Sequence, residues 1–166
     1  MTGSNPTDRS KLGTKRHILT DAKGIPLSVV TSSASTHDVK LVAGVVDNAV
    51  VKRHILSPKT KDGGKRRQHL CLDKAYSPKP EKQEISRRGY VPHLPHKRKR
   101  GEVGKETEKV SNRKKHPARR WVVERTNSWH NRFRKLFTRY EKKMENYLGL
   151  VQFSCCIIIY RKIILG

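Results

Sequence analysis

Acidic residues are scarce in this sequence: 14 Asp and Glu stand against 38 Lys and Arg in 166 residues, a formal net charge of +24. A surplus of one sign on that scale points to a polyanionic partner, because acidic small molecules do not need it. Nucleic acid is the leading candidate and an anionic membrane surface the second. Charge alone supplies affinity, not sequence reading or chemistry. Cysteine is equally sparse. Cys71, Cys155 and Cys156 are too few and too close together for a disulfide framework. No His stands at zinc-ligand spacing from them, so they are expected as small buried hydrophobes in a reducing cytosol. No signal peptide opens the chain, and the longest apolar run, Leu148 to Tyr160, is interrupted by Gln152 and too short to span a bilayer. Core material is thin as well: Leu, Ile, Val and Phe number 38 of 166, just above the level at which disorder becomes the default. One highly basic folded domain is the expectation, with 1–13 a Gly/Ser/Pro-rich loop.

What is present is patterned. Thr14 to Thr20 and Ile25 to Thr31 read as two strands joined by the tight-turn signature Asp21-Ala22-Lys23-Gly24, a β-hairpin. Thr36 or Asp38 is a candidate N-cap for an amphipathic helix of about four turns carrying Val39, Val42, Ala43, Val46, Ala49 and Val50. A basic connector (53–67) leads to a short strand, Gln68 to Asp73, that ends on a carboxylate. A polar helix over 78–88 stops at Gly89, and Tyr90-Val91-Pro92 begins another strand. Hairpin, helix, strand, helix and strand over 14–92 imply a mixed α/β sheet. From 93 to 120 the chain carries 11 Lys and Arg against 3 Glu. This one-sided run is expected to track phosphates through residues such as Lys97, Arg98, Lys99 and Arg100.

Over 121–166 two helices are expected. In the first, Trp121 to Tyr140, the residues Val122, Trp129, Phe133, Leu136 and Tyr140 share an inward stripe, and Glu124, Ser128, Asn131 and Lys135 share another. Arg120, Arg125, Arg132, Arg134 and Arg139 flank them. The second helix, about Met144 to Ile164, is mostly apolar and is expected to cover the sheet. Two carboxylates therefore stand out: Asp73 at the carboxyl end of a strand, where α/β sheets concentrate ligand groups, and Glu124 on a basic helix. As hard oxygen donors they suit Mg²⁺ with substrate phosphates completing the shell, and such a site performs phosphodiester chemistry. A turn or cap role for Asp73 and a local pairing of Glu124 with Arg120 or Arg125 are the alternatives.

The sequence resembles the catalytic part of DDE insertion-sequence transposases, in the insertion-sequence-five group, over nearly its whole length. The resemblance is carried in order by Gly3-Ser4-Asn5-Pro6-Thr7-Asp8-Arg9, Lys15-Arg16-His17, Gly24-Ile25-Pro26-Leu27 and Thr36-His37-Asp38. It continues in Leu72-Asp73-Lys74-Ala75-Tyr76, Val123-Glu124-Arg125-Thr126-Asn127-Ser128-Trp129, Arg132-Phe133-Arg134-Lys135 and Arg139-Tyr140-Glu141-Lys142. It implies an RNase H-like mixed sheet flanked by helices, a two-metal site using Mg²⁺ or Mn²⁺, and cutting and joining of DNA at element ends. Asp73 matches the second acidic ligand and Glu124 the third. Arg120 falls where a cousin group carries a signature Arg, whereas Pro117 and Asn131 replace that group's Tyr and Lys. Arg132 or Lys135 then substitutes as a phosphate contact, beside Arg120 and Arg125.

In that pattern the first catalytic Asp and the first strand precede Met1. Asp8, Asp21 and Asp38 are poor replacements. The expectation is a partial catalytic domain, inactive alone, completed by an upstream reading frame or surviving as a remnant. It is expected in a prokaryotic cytosol, associated with the nucleoid, with DNA, the upstream product or a second copy as partners and no membrane. A non-enzymatic DNA-binding regulator of transposition is the competing class.

Overall fold

The computed structural model describes residues 2–6, 8–51, 68–73, 79–93 and 119–166. The basic connector, Lys74 to Pro78 and nearly all of the 93–120 charge run, with Lys97, Arg98, Lys99 and Arg100, lie outside the described residues. The chain divides into two compact units, one built from 1–51 with 121–166 and the other from 52–120. Both α-helices and β-strands are present, in agreement with the expected mixed α/β class.

The first unit opens with a three-stranded antiparallel sheet in the order β1 (Gly3–Ser4), β2 (Leu12–Thr20), β3 (Pro26–Ser33). β1 is a short strand inside the stretch expected to be loop. β2 and β3 form the hairpin in a register running from Thr14 opposite Ser33 to Thr20 opposite Pro26, with an irregularity between Leu19 and Thr20. The turn is made by its own residues. Asp21 Oδ1 accepts from the amides of Lys23 and Ile25, each at 2.8 Å, and Gly24 adopts a φ of 84° that disfavours any side chain.

After the hairpin a 3₁₀ turn (Asp38–Leu41) runs into a short helix, α1 (Val42–Asp47). The expected four turns shrink to this because the backbone leaves the helix at Asn48, whose amide and side chain both return to the Gly44 carbonyl. Val50 then donates its amide to Leu27 of β3 and is exposed rather than inward. Neither expected N-cap serves. His37 occupies the cap position without a side-chain bond, and the Asp38 carboxylate is held instead by Lys15 Nζ at 2.9 Å.

The stretch expected as one helix over 121–140 is two: α3 (Arg120–Asn131) and α4 (Arg134–Phe137). Phe133 is extended between them (φ −83°, ψ 107°). The break turns Phe133 and Leu136 into one core with Tyr147 and Val151 of α5 (Met144–Ile163) and Val29 of β3. Val122 and Leu136 are buried as expected, but Tyr140 lies beyond the break and is exposed. The expected stripe assumed an unbroken 3.6-residue period.

The second unit contains β4 (Gln68–Cys71), α2 (Lys79–Arg87) and β5 (Tyr90–His93), with the strands parallel. Parallel neighbours require a crossover, and α2 lies within it. Leu70 and Ile85 are its buried side chains among the described residues. Gly89, at φ 79°, follows the helix where the sequence placed its end. Glu84 sits between Arg87 and Arg88, and its bond to Arg88 holds its carboxyl below the usual range.

The cysteines depart from expectation. All three are free, but only Cys155 is buried. Cys71 follows inward Leu70 on a strand and so points the other way, and Cys156 is rotated about 100° from Cys155 on its helix.

Candidate active site

Asp73 follows β4 by two residues and is half-buried. The strand end is fixed by pairing: Leu72 donates its amide to the His93 carbonyl at 3.0 Å, which continues the β4–β5 ladder up to the residue before the carboxylate. Asp73 thus stands at the carboxyl end of a parallel strand, as the sequence indicated.

Glu124 lies in the first half of α3, exposed, with Ser128, Asn131 and Lys135 exposed as the spacing predicts. The opposite side of α3 is not the stripe expected. Its buried residues are Val122, Thr126 and His130, spaced by four. Thr126 is fully buried because its hydroxyl donates to the Gly24 carbonyl at 2.7 Å. Beside it Arg125 donates from Nη2 to the Lys23 carbonyl, and its guanidinium lies 4.8 Å from the Trp121 ring and 5.1 Å from the Trp129 ring. Face-on contacts of this kind are each worth about 0.5–1 kcal/mol at exposed sites. The hairpin turn is therefore clasped to the helix by the two residues after Glu124. A Cβ at Gly24 would lie 3.0 Å from Thr126 Oγ1 and 3.2 Å from Arg125 Nη2.

One expected result follows at this clasp. Gly24→Ala lowers stability by about 2 kcal/mol, since left-handed backbone costs a residue with a Cβ roughly 1–2 kcal/mol and the Thr126 bond is displaced as well. Urea unfolding of the variant, beside Thr126→Val to isolate the lost hydroxyl, measures both parts.

The second fixture of α3 is polar and buried. His130, fully buried, shares a 2.7 Å hydrogen bond between Nδ1 and Ser154 Oγ of α5, with Cys155 Sγ 3.8 Å from Nε2. Burial, with the positive Arg16 adding to it, depresses the imidazole to about 4. Burial likewise pushes the Cys155 thiol up to about 11, with Cys156 contributing in the same direction. The thiol and ring are neutral at pH 7, so this trio is a structural bond between helices and not an activated nucleophile.

Of the basic residues singled out, Arg132 and Lys135 are exposed. Arg125 is spent largely on Lys23 and the two indoles. Asn131, where a Lys was the pattern, receives Arg16 Nη2 at 2.6 Å. Thr126 and His130 were not legible as buried residues; the available signal was the four-residue step from Val122 to Thr126 and from Thr126 to His130.

Asp73 and Glu124 are hard oxygen donors and fit a divalent cation in chemistry. Among the described residues, no group of three His, Cys, Asp or Glu side chains is arranged to hold a metal ion. Also among the described residues, no helix is long and apolar enough to cross a membrane.

The strand-end Asp, the exposed Glu on a basic helix and the mixed α/β framework coincide with a sequence match to the transposase DDE domain family over residues 2–159, and the chain belongs to that family. It is 31% identical over 159 residues, covering 96% of this chain and 68% of the relative, to the "Putative transposase for insertion sequence element IS402" of Burkholderia cepacia. No solved structure matches the chain. Membership gives it a role in transposition and makes DNA the partner its charge called for.

Proposed function

We propose that this chain supplies two of the three catalytic carboxylates, and much of the DNA grip, for cutting and joining DNA at the ends of an insertion sequence. Asp73 and Glu124 are the two, within an RNase H-like fold of sheet and flanking helices. The third carboxylate and the first strand come from an upstream portion of the transposase. The observation that carries this reading is the family match across residues 2–159, in which the two prominent carboxylates are a strand-end Asp and a helix-borne Glu.

Ionised, these side chains would hold Mg²⁺ or Mn²⁺, two ions when the ligand set is complete. A bound divalent cation would supply Lewis acidity suited to activating the attacking oxygen and stabilising the leaving one. The chain's own residues do the positioning. The Gly24–Thr126 clasp and the His130–Ser154 bond fix α3, and with it the backbone that carries Glu124. Arg132 and Lys135, exposed just beyond the same helix, contact phosphates, as do Arg120 and the 97–100 run. Phosphate contacts set register and affinity and leave sequence reading to other groups.

Two measurements on the purified 166-residue chain test this division of labour. Duplex DNA binding is expected to weaken by about a thousandfold or more between 50 and 200 mM salt, as release of counterions from six or more phosphates requires. No nicking or strand joining is expected with Mg²⁺. Robust cleavage by the chain alone overturns the upstream third ligand, and salt-insensitive binding overturns the phosphate track.

A further inference from the structure

The second unit holds a pair of metal-ligating side chains that the carboxylate chemistry does not use. In the β4–β5 ladder His69 lies opposite Val91 and Cys71 opposite His93. His69 and His93 therefore sit on one face of the strand pair, diagonal to one another, because side chains alternate with a period of two. Their rings converge. The centroids are 4.6 Å apart at an interplanar angle of 35°, and Nδ1 of His69 is in direct contact with Nε2 of His93. The rings are tilted, with a nitrogen of each aimed at the other.

In the absence of an ion, one nitrogen donates its proton and the other accepts it. The same convergence is what a borderline divalent ion needs. Each neutral ring moves its N–H to the outer nitrogen and turns a lone pair inward. Zinc–nitrogen bonds of about 2.0–2.1 Å in a tetrahedral shell place two ligand nitrogens roughly 3.3 Å apart. A small rotation of either ring opens that space, and His69 is exposed at the surface, where water completes the shell. Imidazole selects Zn²⁺, Ni²⁺ or Cu²⁺, whereas Mg²⁺ prefers oxygen.

We propose that His69 and His93 form a two-imidazole site for a divalent transition-metal ion of the zinc type, chemically distinct from the oxygen donors Asp73 and Glu124. The inference rests on the strand register and the ring geometry and not on the transposition reading. An ion here ties β4 to β5. A strand pair gains from such a tie, since two strands by themselves are marginal in stability. The tie also steadies the strand end that leads to Asp73, four residues beyond His69. Binding to the folded state alone raises the unfolding midpoint.

Calorimetric titration of the full 166-residue chain with Zn²⁺ at high salt tests the site, with ring-proton NMR of His69 and His93 read alongside. The expected result is a one-to-one micromolar event that shifts both rings. His69→Ala and His93→Ala each weaken it at least tenfold, Asp73→Asn leaves it within twofold, and millimolar Mg²⁺ does not displace it. Binding that survives in the double His variant, or ring signals unmoved by Zn²⁺ in the unsubstituted chain, overturns the site. Loss of the event in Asp73→Asn does so too, because it assigns the ion to the carboxylate. The ring signals keep the test decisive even where a His variant folds poorly.

Discussion

If the proposed reading holds, Asp73→Asn and Glu124→Gln, introduced separately into this chain fused to a segment that supplies the third carboxylate, are each expected to lower strand cleavage about a thousandfold. A metal ligand contributes several kcal/mol of transition-state charge stabilisation, and each 1.4 kcal/mol is about a factor of ten in rate. The amides keep the size of the carboxyl groups and remove the charge that an oxygen-preferring cation requires. Glu124 is exposed, so its isosteric replacement opens no cavity in the core beneath α3. DNA binding is therefore expected to stay within about twofold while cleavage collapses. Single-turnover nicking of a plasmid carrying the element ends reads the first quantity and filter binding the second. Wild-type cleavage by either variant removes that residue from the site.

Acid is the second large lever, acting through His130. Its ring is held near 4 in the folded protein against an ordinary 6.5 in the unfolded chain. The unfolded state thus takes up a proton between those values while the folded state does not. Stability is full above pH 6.5 and falls as the pH drops toward 4, with no further loss from this group below that. A separation of about 2.5 pH units corresponds to roughly 3 kcal/mol in all. Chemical denaturation at pH 7 and pH 4.5 measures most of it. The asparagine variant His130→Asn, which can still bond Ser154 but cannot titrate, is expected to flatten the profile. An equally steep profile in that variant assigns the acid sensitivity to other groups.

Much of the local structure follows from short-range chemistry. The Asp21-Ala22-Lys23-Gly24 turn is specified by an Asp side chain that caps its own backbone and a Gly that tolerates positive φ, so the hairpin forms where the sequence places it. The strands at Gln68 and Tyr90 and the helix stopped by Gly89 are legible for the same reason. Element lengths were harder to read. Val39 to Val50 has a helical period throughout, yet Val50 is taken by the sheet through its bond to Leu27. Trp121 to Tyr140 has one too, yet Phe133 breaks it to reach the core. Periodicity records which faces are apolar and does not record which neighbour claims them.

The candidate site divides along the same line. The sequence by itself determined the charge, the DNA partner's class and the family, and it singled out the two candidate carboxylates, because these depend on residue identity and order. Tertiary structure decided what fixes the helix carrying Glu124. Thr126 and His130 look like surface residues on a basic helix, and become interior ones where the Gly24 carbonyl and the Ser154 hydroxyl help to satisfy them. Arg125 looks like one more phosphate contact among many, and is drawn inward by two indoles and a carbonyl. His69 and His93, 24 residues apart, meet only through strand pairing. The partners that satisfy these polar side chains lie far away in sequence, and only the folded chain brings them together.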